Sequence, residues 1–210
     1  MSSRKNTSKF KRQLQFLNAC PESLYWLKNR SFSSAWAACN DPDWIMWLAN
    51  SLNISLRTRL FVYGEILKIA IPFIRILKLK NWLIDITNIL TTAKTLKSIK
   101  KKTSAILKRY DEFLDLIKLG SYLDLITFFE DMYFCLTHAI KHSSKTSTKQ
   151  MIIHYFSNTI FDIFYLCEYK REVYSFFPSG RRSIAKKMLE ICKEHFTIPI
   201  KRKLATLPVE

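Results

Sequence analysis

Asp131, Cys135, His138 and His142 form the polar grouping in this sequence best suited to chemistry. Their steps of four, three and four residues put all of them on one face of a helix that turns every ~3.6 residues. Two histidines one turn apart can share a metal ion, and a thiolate and a carboxylate are further ligand types. A site on one helix still needs a completing ligand from another element. The zinc-protease signature is missing, because Ala139 rather than glutamate follows His138. The expected reading is therefore a core Cys135, with both histidines at a solvated helix end beside Lys141, and neither a metal nor a cofactor.

Two further arrangements are of the kind that supports catalysis. Cys192 and His195 have the i, i+3 spacing of a nucleophile and its base, yet no oxyanion-hole glycine or orienting acid accompanies them. A buried thiol near a helix end is expected instead. The acids Asp111, Glu112, Asp115, Asp124, Glu130 and Asp131 could supply a carboxylate pair, but they alternate with Leu, Ile and Phe as a solvated helix face does. No catalytic residues are assigned, and the chain is read as a non-enzyme.

The basic residues carry the stronger functional signal. Lys94, Lys97, Lys101 and Lys108 follow steps of three, four and seven residues and form a lysine stripe, flanked by Lys100, Lys102 and Arg109. Such a stripe can track a phosphate backbone or another anionic surface. A second cluster comprises Arg171, Arg181, Arg182, Lys186 and Lys187, where the turn at Gly180 leads into a helix whose N-terminus suits an anion. Lys94, Lys97, Lys101, Lys108, Arg171, Arg181, Arg182 and Lys186 are the predicted anion- and partner-binding residues. No helix-turn-helix, zinc or RNA-recognition signature accompanies them, so base-specific reading is not expected.

These residues sit in a chain of 210 residues with 48% hydrophobic and 14% aromatic content, which is enough apolar matter for a sizeable core. Its length fits one domain of the usual ~100–200 residues. Three glycines are too few for strand-and-turn folds or Gly-rich phosphate loops. The net charge of +17, from 34 basic and 17 acidic residues, implies an anionic partner. A lysine-rich surface can also serve solubility alone. Five scattered cysteines without a CxxC pair exclude a disulfide framework and zinc-finger spacing. Residues 1–12 lack the apolar core of a secretory leader, so a reducing cytoplasm is expected. The most membrane-like stretch, 151–167, contains His154 and Asp162 and is short of the ~20 apolar residues of a span; it is predicted to be a central core helix.

Helical periodicity accounts for nearly all of the rest. Pro21 opens one helix, Ser31 or Ser33 caps a second containing Trp36, and Asn40-Asp41-Pro42-Asp43 is the clearest helix start. That third helix is expected to use Trp44, Trp47, Leu48 and Leu52 as its apolar face. A helix from near Ser55 is kinked or ended by Pro72, helical pattern fills 78–119 and 122–142, and a last helix covers roughly 181–196. The fold class is all-α, a single globular multi-helix bundle of roughly eight to nine helices. A disordered basic tail is expected at 1–9, the helical domain at 10–200, and a C-terminal tail at 201–210.

The pattern Ala19-Cys20…Trp26, Ala35-Trp36…Cys39, Pro42-Asp43-Trp44…Trp47-Leu48 resembles the opening of a family of small helical proteins encoded by bacteria and phages. Some of those are labelled immunity proteins of polymorphic toxin systems, and they often close with a helix ending near a proline, as the segment from Met188 to Pro199 would here. Trp36, Trp44 and Trp47 are read as a folding cluster burying on the order of 150–250 Å² each, with Asp43 as a helix cap. The resemblance implies an interaction protein, an inhibitor or immunity-type factor that occludes a protein partner. Nuclease inhibitors tend to be acidic; this basic chain would need an acidic target. A sequence-independent nucleic-acid binder is the alternative, and a metal-dependent enzyme on the Asp131–His142 face comes last.

Overall fold

In the computed structural model the chain is described at residues 8–110, 123–141, 154–155, 158–159, 162–163 and 179–208, with backbone alone at 123–126, 141 and 179–183. Described residues form nine α-helices and one 3-10 turn, without strands: α1 (Lys9–Phe16), α2 (Pro21–Leu27), α3 (Phe32–Ala38), α4 (Pro42–Ser51), α5 (Leu56–Leu67), a 3-10 turn (Ile71–Phe73), α6 (Leu77–Thr92), α7 (Leu96–Leu107), α8 (Leu123–Lys141) and α9 (Ser179–Ala205). The all-α fold expected from the periodicity is what forms.

Local capping chemistry sets most of the helix starts. Ser8, Ser31, Asp41, Ser55 and Thr95 each accept a backbone N–H with the side chain, satisfying donors that the first turn leaves open. At α4 the cap is Asp41, whose Oδ1 accepts from Asp43 N at 2.9 Å and Trp44 N at 3.4 Å. Asp43 is thus a first-turn acid and not the cap expected above. Helices α1 and α4 stop at Asn18 (φ 57°) and Asn53 (φ 51°). Ala19 N and Ile54 N then reach back to Leu14 O and Ala49 O, each at 2.9 Å, the Schellman ending that asparagine tolerates when glycine is scarce.

Packing proceeds from helix to helix: α4 lies against α9, α9 against α5, α5 along α6, α6 on α7, and α7 on α8. The aromatics form two groups. In the first, Phe10 meets Phe32 (5.2 Å) and Trp44 (6.5 Å), Phe32 stacks on Trp36 (5.1 Å), and Trp44 meets Trp47 (6.4 Å). The expected tryptophan cluster therefore forms with phenylalanines bridging it. The buried face of α4 is Ile45, Met46, Leu48, Ala49 and Leu52, while Trp44 and Trp47 are only half-buried. In the second group Trp82 meets Phe129 (5.5 Å) and Tyr110 (6.1 Å), and Tyr110 stacks on Tyr133 at 4.0 Å, tying α6 and the end of α7 to α8.

Two boundaries differ from those read in the sequence. Helix α1, unforeseen there, begins at Lys9 because Phe10 and Leu14 bury one face. Helix α9 continues past Pro199 to Ala205, so Lys201 to Ala205 are helical and not a tail. Met188, Cys192, Phe196, Ile200 and Leu204, each four residues on, are all buried. Fully burying an aliphatic or aromatic side chain contributes ~1.5–3 kcal/mol, and two such residues beyond the proline offset the ~3 kcal/mol an internal proline costs. The Gln13 side-chain amide also donates to Leu204 O at 2.8 Å, closing the last turn on α1. Leu204→Ala should accordingly destabilise the protein by about 2–5 kcal/mol in urea unfolding, as a buried leucine does. A change within ~0.5 kcal/mol, normal for a tail residue, would contradict this ending.

Candidate interaction surface

Helix α7 shows its chemistry through the division of its two sides. Ile99, Thr103 and Leu107 are buried, with Leu96 and Ile106 packed beside them. At ~100° per residue this puts Lys97, Lys101 and Lys108 on the opposite side, where all three are exposed. Lys102 and Arg109 are exposed on the flank, whereas Lys100 is half-buried. Lys94 is exposed too, but it stands in the bend before the Thr95 cap and not on the helix. Nearby, the Arg57 guanidinium donates to Ala93 O at 3.4 Å and adds a cation to this corner. No acidic residue occurs between Asp85 and Asp111. Lys97, Lys101 and Lys108 thus share one outward basic face, with Lys94 just ahead of the helix.

The second predicted cluster does not assemble among the described residues. Arg171 lies outside them, and Arg181 and Arg182 fall in the first turn of α9 with their side chains outside the description. Ser179 and Gly180 are already helical, so the expected turn at Gly180 is absent. Lys186 is exposed and faces Glu190 at 3.9 Å, one turn along α9.

The described members of the polar grouping on α8, Asp131, Cys135 and His138, are half-buried or buried. Cys135 is buried, and burial first, then the nearby Asp131, pushes its thiol up to about 12, against the pull of the Tyr63 hydrogen bond and of Arg59. A thiol held neutral is a poor nucleophile and a poor metal ligand. His138 stacks on Tyr155 at 5.7 Å, with the rings 7° apart. His142 lies outside the described residues, among which no three His, Cys, Asp or Glu are grouped to hold a metal.

Asp131 departs from the solvated face expected for it. Burial raises its carboxyl, opposed by hydrogen bonds with Asn158 and Asp162 and by the charge of His154. Tyr63 reaches the same region from α5, with its hydroxyl 3.0 Å from Thr159 Oγ1, and Thr159 in turn donates to Tyr155 O at 2.7 Å. Arg59, half-buried on α5, donates to Asn50 Oδ1. This polar seam, which joins α4, α5 and α8 to residues 154–155, 158–159 and 162–163, is not legible in the sequence because its members are far apart in the chain.

Cys192 and His195 are both packed against neighbouring helices. Cys192 is buried, and desolvation followed by the charges around Asp43 raises its thiol. His195 packs edge-on against Phe61 at 4.8 Å. Of the mid-chain acids, Asp111, Glu112 and Asp115 lie outside the described residues, as does the side chain of Asp124.

The raised Asp131 carboxyl has a pH consequence. Because its folded pKa lies above the unfolded one, its stabilising contribution is full below the unfolded pKa and is lost as pH rises through the folded pKa. Asp131→Asn removes that loss, so the variant should gain stability relative to wild type as pH rises above about 4, the unfolded value, in urea unfolding. A wild type that gains on the variant over that rise would contradict the burial of the charge. No protein-family model, no curated protein and no solved structure matches the chain.

Proposed function

We propose that the protein acts by binding and not by catalysis, its α7 face docking on an acidic surface of a partner protein. The observation that carries this reading is the outward lysine face, Lys97, Lys101 and Lys108 with Lys94 beside it, in a stretch free of carboxylates. A face of exposed lysines projects a positive potential, which steers an anionic surface into contact and fixes its register. Along α7 the face extends about 18 Å, a patch suited to a protein epitope.

Two further features support an inhibitor or immunity-type role encoded by a bacterium or phage. The opening from Ala19 to Leu48 resembles that of helical proteins labelled as immunity factors. The thiols of α8 and α9 that sequence spacing offered as nucleophiles or ligands are buried and neutral. Cys20, Cys39 and Cys192 are free thiols among the described residues, in keeping with a reducing cytoplasm. Among the described residues, no helix is long and apolar enough to cross a membrane.

The test is affinity capture of the tagged protein from its native cells after nuclease treatment, beside the variant Lys97→Gln, Lys101→Gln, Lys108→Gln. Wild type should retain a stoichiometric protein partner, and the variant should recover roughly tenfold less, since exposed ion pairs contribute about 0.5 kcal/mol each. Equal recovery by the variant would overturn the assignment of the face. Recovery of nucleic acid alone without nuclease, lost steeply with salt, would overturn the protein partner.

A further inference from the structure

We infer that a cleft on the opposite kind of surface, between α2 and the turn joining α3 to α4, receives an arginine side chain presented by a peptide. The cleft encloses about 220 Å³ between Trp26, Trp44, Glu22, Asp41 and Cys39. That is below the ~300–1,000 Å³ of small-molecule sites and suits a single side chain. The two indoles meet at 59° with centroids 5.9 Å apart, so they wall the space without stacking shut. Both are half-buried.

The charges favour a cation. Glu22 and Asp41 are exposed. Asp41 spends Oδ1 on capping α4, and its other oxygen remains for a donor. The neighbouring cations are already engaged: Lys193 Nζ donates to Cys39 O at 2.9 Å and Ala37 O at 3.4 Å, and Arg30 donates to Trp26 O at 2.8 Å. Glu22 and Asp41 thus give the cleft an acidic rim, in a molecule whose net charge is +17.

Aromatic walls select arginine over other cations. A guanidinium is planar, stacks on indole and is weakly hydrated, and its fork matches a carboxylate. The chain itself sets one in this way, with Arg30 4.9 Å from the Trp26 ring centroid. A side chain presented by a peptide, rather than a larger ligand, fits the about 220 Å³ of the cleft. This site uses α2 and α4 and is independent of the α7 face.

The experiment follows the indole Nε1–H resonances of the full-length ¹⁵N-labelled protein during titration with acetyl-Gly-Arg-Gly-amide, the peptide's citrulline analogue and methylguanidinium. Trp26→Phe and Trp44→Phe assign the two signals, and Trp82, bonded to Ile106 O at 3.4 Å, serves as a remote control. The arginine peptide should shift Trp26 and Trp44 saturably, leave Trp82 unmoved, and bind more tightly than either comparison compound. Glu22→Gln with Asp41→Asn, which retains a capping residue, should weaken it by roughly fivefold. Absence of saturable shifts, or equal binding of the citrulline peptide or by the double variant, would overturn the site. Equal binding of methylguanidinium would overturn the peptide assignment.

Discussion

The structure depends on the burial of one side of α9 against α4 and α5. Its five residues at four-residue spacing, Met188 to Leu204, are fully or almost fully buried, and they bring the end of the described chain back onto its beginning. Polar contacts fix the register of that return. Trp36 Nε1 donates to Thr197 Oγ1 at 2.9 Å, Lys193 ties down the carbonyls at the end of α3, and Gln13 closes on Leu204 O. The hydrophobic stripe supplies the drive, and these bonds select one alignment from those a four-residue repeat allows.

With α9 on one side, α5 must approach α6 closely on another. Gly64 marks that contact: a Cβ there would lie 2.8 Å from Leu90 Cβ and 3.0 Å from Thr91 Cγ2. From α6 the packing passes to α7 and α8 through Trp82, Tyr110 and Phe129. Helix α7 has thus one buried side and one free side, and the lysines occupy the free one because no burial could compensate their desolvation. The basic face follows from the packing order as much as from the charge of the chain.

Local chemistry made much of this legible in the sequence. Asp41-Pro42, Ser31 and Ser55 are helix starts whose caps act within a few residues, and the lysine spacing of α7 was itself a statement about its outer side. What escaped depends on distant partners. The charge-rich α1 is held by Phe10 and Leu14, and the passage of α9 through Pro199 is held by Ile200 and Leu204; both outcomes rest on burial that periodicity alone does not weigh. The break at Lys94, which takes that lysine off the helix, hangs on the cap at Thr95. Asp131 read as a solvated acid because Asn158 and Asp162, its partners, are a turn and more of another segment away. The aromatic, acidic cleft joins residues of α2 and α4 that no spacing rule connects.

The central claim is that α7 is the contact surface, and lysine acetylation footprinting of the captured complex tests it directly. Mass spectrometry would compare the reactivity of each lysine toward an acetylating reagent in the free protein and in the complex. With α7 as the contact surface, Lys97, Lys101 and Lys108 become protected together while exposed Lys28, at the end of α2, keeps its reactivity. Unchanged reactivity along α7, with protection elsewhere, would contradict it.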